Sequence, residues 1–333
     1  MKVLLFNRTN SYLFYDLTEG LKELGHEVHY AYGKADNKPE YINGLMQDLE
    51  QKSKDFDLII QLNYFAPTSK VLPWEKTLCL YVDPPHHFGA CPPFKAFQIV
   101  KVGPFDVIDW GVGKRWLETK AVEPEYKALM CARIDKNQEN GLFFSNPQVY
   151  EDFATRNMIR VMAATKLAAQ YGPQDFKILG EPHDYGRFFI NTDRPHMDNN
   201  ETLAKYCQLV PHELLHLEFN KADYIIDQVR PAVGLNPKVL YAWALGKAVK
   251  NIEYQNGEIK IVNLRQNREL RPMKDFCEDL LNRFELSQQQ YITTYDKPGQ
   301  YKRYEEQQII DQQEKIKQQD KKIGEVKKAL GDF

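Results

Sequence analysis

The chain has 333 residues, 43% of them hydrophobic and 27% charged, which suits two folded domains of ordinary size and excludes global disorder. Lys and Arg number 44 against 46 Asp and Glu, so the net charge of −2 excludes a general basic field for nucleic acid or anionic membrane, leaving only a local patch. No apolar run approaches the roughly 18 residues of a membrane span.

Residues 2–6 form a short apolar run before a polar loop at 7–11; the run is too brief for a signal-peptide core and predicts a first strand. Leu13, Leu17, Leu21 and Leu24 recur at helical spacing over 12–24, Gly25 ends that helix, and 26–32 alternates as a strand. A polar helix over 41–53 precedes strands at 57–62, 77–82 and 107–110. A second series follows. Strands are expected at 126–131, 176–179, 224–227 and 248–252, and helices at 150–171, 211–220 and 237–245. Strands alternating with helices predict parallel sheets in two doubly wound α/β domains.

Beyond residue 286 the composition shifts to Gln, Lys and Glu, with Ile309, Ile316, Ile323 and Leu330 every seventh residue. That stripe suits a solvated helix packed on the body of the protein, or a self-associating coiled coil, or no fixed structure. Cys79, Cys91, Cys131, Cys207 and Cys277 are odd in number and form no CxxC pair, so free thiols in a reducing cytoplasm are expected. HExxH, GxSxG, Walker A and GxGxxG patterns are all missing, and His212 and His216, spaced i,i+4, read as one exposed and one packed histidine.

The stretch 209–252 carries the most chemistry. It reads as a helix, a strand ending in Asp227 and Gln228, a loop with Gly234, and a helix entered through Leu235 and Asn236 and containing Lys238. Ligands of open α/β sheets sit beyond the carboxyl ends of the strands, and helix N-termini aim N–H groups at anions. A phosphate held on that helix, with Lys238 adding charge, is one reading; a simple turn glycine is the other.

The order Val210-Pro211-His212-Glu213, Ala222-Asp223, Ile226-Asp227-Gln228 and Ala242 through Val249 resembles the donor-binding domain of nucleotide-sugar glycosyltransferases with the GT-B fold. The resemblance implies two Rossmann-like domains, 1–122 on the acceptor side and 123–285 for the nucleotide sugar, with 286–333 as a helical tail. It implies that residues 234–238 meet the diphosphate of a UDP- or GDP-linked sugar. Many relatives carry a glutamate for the ribose diol on the following helix; here Tyr241 or Ala242 stands there, so ribose recognition differs or the donor site is altered. Arg133 and Lys136 resemble the cations that neutralise the departing diphosphate.

In LCLYVDPPHHFG, Asp83 ends an apolar strand before two prolines. Phage DNA-base glucosyltransferases have a similar segment whose Asp is the general base, so the resemblance makes Asp83 the base; Asn10, His86 and His87 are candidate acceptor-side residues. A turn-capping Asp83 with surface histidines is the alternative. The expected activity is base-assisted, metal-independent sugar transfer to a glycan or other hydroxyl acceptor, with no cofactor besides the nucleotide sugar. Two rivals stand beside it: a phage-type DNA hydroxymethyl-base glycosyltransferase, using a patch such as Lys95, Lys101, Lys114 and Arg115, and a degenerate GT-B scaffold. The expected compartment is the cytoplasm, with peripheral membrane association as an option.

Overall fold

The computed structural model describes residues 1–8, 11–33, 39–83, 92, 94–101, 103–131, 147–180, 201–229 and 235–294. Met1–Leu281 form one compact unit containing two sheets, and Asn282–Phe333 are grouped apart from it. The heptad positions from Ile309 onward lie outside the described residues.

The first sheet begins with β1 (Lys2–Asn7), whose Val3–Phe6 stretch is buried. Helix α1 (Leu13–Glu23) follows and stops where Gly25 takes φ +82°, with its N–H on the Lys22 carbonyl at 2.9 Å. Then come β2 (Glu27–Tyr32), α2 (Pro39–Ser53), β3 (Leu58–Leu62), β4 (Thr77–Tyr81), β5 (Lys95–Gln98) and β6 (Asp106–Val107). All strands pair in parallel in the order β2-β1-β3-β4-β5-β6. Every residue of β3 and β4 is buried, which is why both read as unbroken apolar runs. Helix α2 packs Met46 and Leu49 on Leu4, Phe6 and Ile59.

After the short α3 (Lys114–Leu117), the second sheet is built from β7 (Tyr126–Met130), α4 (Pro147–Gln170), β8 (Phe176–Leu179), α5 (Glu201–Ala204), β9 (Cys207–Gln208), α6 (Leu215–Asn220), β10 (Ala222–Asp227), α7 (Pro237–Ala244), β11 (Ala248–Gln255) and β12 (Glu258–Leu264). Its order is β12-β11-β10-β7-β8-β9, parallel except for the β11–β12 hairpin. That hairpin turns at Asn256 and Gly257, both at positive φ, as a two-residue turn of this hand requires. Helix α4 lays Ile159, Val161, Ala163, Ala164 and Leu167 on Met130, Phe176, Ile178 and Ile226.

Helix α8 (Met273–Thr294) closes the described chain. The passage between sheets and the approach to α8 run side by side: the Val112 N–H donates to the Arg271 carbonyl and the Met273 N–H to the Val112 carbonyl, each at 2.8 Å. The two sheets are therefore joined twice.

Several elements differ from the sequence pattern. The expected strand at 107–110 pairs only over Asp106–Val107, although Ile108 and Trp110 continue inward, buried. The helix expected at 211–220 divides into a 3₁₀ turn at His212–Leu214 and α6. Strands β5, β9 and β12 were not anticipated; β5 and β9 have four and two residues, too short to show a period.

Candidate functional site

In doubly wound sheets ligands bind where the strand order reverses, at the carboxyl ends. The first sheet reverses between β1 and β3, so the chain at Arg8 and Asn63 borders that crevice, with Asp83 one strand further. Asn63 is the organising residue. It follows β3 at φ +55°, a conformation that Asn tolerates better than most side chains. Its Nδ2 donates to Asp83 Oδ2 at 2.9 Å, and its Oδ1 accepts from the Val82 and Asp83 N–H groups at 2.9 and 3.1 Å. Gln61 Nε2 donates to the Asn63 carbonyl, and Thr68 Oγ1 donates to Gln61 Oε1, so the buried Gln61 fixes the turn from below. Asp83 itself is exposed. The half-buried Arg8 guanidinium lies over the Phe65 ring at 5.4 Å.

The second sheet reverses between β7 and β10, which places Cys131, Asp227 and Gln228 at its crevice. Lys238 reaches across from α7, and its Nζ donates to the Cys131 carbonyl at 2.6 Å. Asn236 caps that helix: its Oδ1 accepts from the Lys238 N–H at 3.1 Å, and its carbonyl accepts from the Val239 N–H. These two amide donors are thereby used within the helix itself. Gln228 Oε1 accepts from Arg160 Nε at 3.1 Å, and Asn251 Oδ1 accepts from the Val229 N–H at 2.7 Å. Asp227 is 1% exposed; its Oδ1 accepts from the Gln228 N–H at 2.8 Å, whereas Oδ2 is buried and has no hydrogen-bond partner among the described residues.

Tyr12, which precedes α1, links the two crevices. Burial pushes its hydroxyl well above the usual phenol pKa, and the charges of Asp227 and Asp83 add to the effect. Its ring packs edge-on against Tyr241 of α7, with centroids 6.3 Å apart. The Lys238 ammonium stands 5.9 Å from the same ring. Burial likewise raises the Cys131 thiol, opposed by Lys238, which makes this cysteine a poor nucleophile.

Tyr241, at the position where the resemblance leads one to seek a ribose-binding acid, is 1% exposed. Its hydroxyl accepts from Trp110 Nε1 at 3.0 Å, and its ring stacks on Trp116 at 4.3 Å, so this side chain is committed to the core. His212 and His216 are both half-buried, at 6.1 Å from the Tyr12 and Trp116 rings respectively, rather than one packed and one exposed. A separate concavity of about 200 Å³ is lined by Asp109, Trp110, Leu240 and residues 268–271, where Arg268 pairs with Asp109 and Arg271 with Asp279.

Asn10, His86, His87, Arg133, Lys136 and Gly234 lie outside the described residues. Of the others, Leu235 and Asn236 form the half-buried entry to α7, and Asp227, Gln228 and Lys238 gather around the second crevice. Sequence reasoning missed Asn63, Tyr12 and Cys131. Only Asn63 carried a signal, as an Asn just past an apolar strand. Among the described residues no group of three His, Cys, Asp or Glu is arranged to hold a metal, and no helix is long and apolar enough to cross a membrane. Cys79, Cys131, Cys207 and Cys277 carry free thiols.

No family model matches the chain, and no curated protein sequence does. Similar solved structures include Anabaena Alr3699/HepE in complex with UDP and glucose, at 12% identity over 75% of this chain and 80% of that one, TM-score 0.43. A periplasmic sugar-binding protein of an ABC sugar transporter from Legionella pneumophila matches at 11% identity over 74% and 92%, TM-score 0.30. A LacI family transcriptional regulator from Lactobacillus casei with bound glucose matches at 11% over 85% and 92%, TM-score 0.31. These TM-scores are all below 0.5, so the chemistry of the site's own residues carries the functional reading.

Proposed function

We propose that this chain is a glycosyltransferase that moves a sugar from a nucleotide-diphosphate donor to an acceptor hydroxyl. The observation that supports it is the approach of Lys238, at the second crevice, to within 5.9 Å of the ring of Tyr12, which stands between the loop after β1 and helix α1 of the first sheet. Two reactants held at the carboxyl ends of two sheets are thereby brought together. In this reading the second crevice takes the donor and the first takes the acceptor.

Asp83, oriented by Asn63, takes the proton of the acceptor hydroxyl. The acceptor oxygen bonds to the anomeric carbon as the bond from that carbon to the diphosphate oxygen breaks. Nucleoside diphosphate leaves with the bonding pair, and Lys238, with Arg133 and Lys136, neutralises the charge that builds there. A lysine ammonium has three donors, and Cys131 takes one of those on Lys238.

The test is thermal unfolding against UDP-, GDP-, ADP- and TDP-sugars, followed by product analysis with the donor that binds. A ligand at about a hundred times its Kd stabilises by roughly 2.7 kcal/mol. A shift selective for one nucleotide, reduced by Lys238→Met, is expected. Asp83→Asn should keep the shift and lose roughly 10²–10⁴-fold in transfer rate. Folded protein that responds to none of these donors would refute the proposal and favour a non-catalytic role.

A further inference from the structure

A carboxylate held almost completely out of water is costly unless its lone pairs are matched. Asp227 is such a group, and it is half matched: one oxygen holds the Gln228 N–H and the other has no hydrogen-bond partner among the described residues. Around it stand side chains that could have been its partners and are used elsewhere. The Lys238 ammonium is on the Cys131 carbonyl, the Gln228 side chain is held by Arg160, and Asn251 serves the Val229 N–H. The unmatched oxygen lies at the end of β10, where the strand order reverses and a ligand is expected.

We infer that Asp227 Oδ2 is the acceptor for a hydroxyl of the bound nucleotide sugar, either on the ribose or on the transferred sugar, and so selects ligands that present an O–H there. This rests on the transferase reading and names the group that reads the donor's polyol. A hydroxyl suits the geometry better than a phosphate, because an anion would meet a carboxylate, whereas an O–H donor completes its hydrogen bonding. Reaching Oδ2 requires the crevice mouth to open. Lys238, at the same crevice, is a long flexible side chain whose ammonium is held on the Cys131 carbonyl and beside the Tyr12 ring.

Two measurements on the full chain test it: the Kd for UDP, GDP, ADP, their 2′-deoxy analogues and their glucose conjugates, and the Tm without ligand, for wild type and Asp227→Asn. Asn keeps an oxygen for the Gln228 N–H and removes the buried charge, so the ligand-free variant is expected to melt at the same temperature or higher. Its affinity for the preferred nucleotide sugar is expected to fall by roughly 10- to 100-fold, the range for a lost hydrogen bond to a charged group. A ribose contact makes wild type lose as much with the 2′-deoxy analogue, with no further loss in the variant. A contact to the transferred sugar instead confines the loss to the glucose conjugate.

Unchanged affinity of the variant for a nucleotide sugar that wild type binds overturns the inference and leaves the transferase reading standing. A variant that melts lower while binding as before assigns Asp227 a structural role and overturns it equally. Should the variant fail to fold, equal wild-type affinity for the ribo and 2′-deoxy forms, and for the diphosphate with and without glucose, overturns it as well. Wild type that binds none of these ligands refutes the transferase reading and this inference with it.

Discussion

The Trp116 indole and the Tyr241 ring stack face to face, with centroids 4.3 Å apart and planes within 11° of parallel. Trp116 is fastened in turn to the fully buried Asp16 of α1. Trp116 Nε1 donates to Asp16 Oδ1 at 2.9 Å, Arg115 adds its guanidinium to the same oxygen at 3.2 Å, and Tyr241 accepts from Trp110 Nε1 at 3.0 Å. The three elements come from the first sheet's helix, the passage between sheets and the second sheet's helix. This knot ties α1, the passage between the sheets and α7 together.

Trp116→Ala is therefore expected to cost about 3–5 kcal/mol, the range for removing a large buried aromatic. Tyr241→Phe keeps the stack but leaves Trp110 Nε1 without its acceptor, for about 1–3 kcal/mol. Urea unfolding of both variants measures these costs. A Tyr241→Phe variant as stable as wild type would mean that the hydroxyl is not part of the joint.

Asn63 offers a cleaner separation of shape from chemistry. Asn63→Gly accepts φ +55° without strain but loses the contacts to Asp83, whereas Asn63→Ala loses the contacts and strains the backbone. In steady-state kinetics of the transfer reaction, both are expected to lower kcat by about tenfold or more, with Asn63→Ala alone losing about 1 kcal/mol or more of stability. Full activity in the glycine variant would remove Asn63 as a positioning residue.

A Cβ on Gly20 or Gly111 would stand 2.7 Å from Met273 backbone atoms, the carbonyl oxygen and Cα respectively. Such backbone contacts cannot rotate away. Alanine at either position is expected to cost about 1–3 kcal/mol. Because both push on Met273, the double variant should cost less than the sum. Strict additivity in denaturant unfolding would show that each site relaxes independently.

Stability should also fall in mild acid. Burial first, and then Arg115, hold the His216 imidazole below its usual pKa, against an opposing backbone hydrogen bond with Glu213. His26 is lowered too, by burial and the N-terminal amine. Below about pH 6.5 the unfolded chain therefore binds protons that the folded chain does not. The stabilisation is present above that pH and is lost as pH falls toward the lowered folded values. Comparing unfolding at pH 7.5 and 5.0 should show a smaller loss for His216→Gln than for wild type. Equal losses would exclude His216 as a contributor.

The sequence by itself determined the parts whose cause is local. Strands β1, β3, β4 and β8 are legible because each is an apolar run in a polar surround, and α1 because its leucines recur every turn up to a glycine that can adopt positive φ. Asp83 and Asp227 could be picked out for the same reason, since each stands at the end of such a strand. The hairpin turn Asn256-Gly257 was equally local, yet the strand after it alternates on a half-exposed edge and was passed over.

Only the tertiary structure decided which strand ends are neighbours. Strand order follows from burying the helices on each sheet, a long-range balance that no window of sequence contains. It alone sets Asn63 against Asp83, twenty positions away, and Lys238 against Cys131, 107 positions away. It also turns Tyr241 inward to Trp110, because a hydroxyl buried there must find a partner, and leaves one oxygen of Asp227 without any among the described residues.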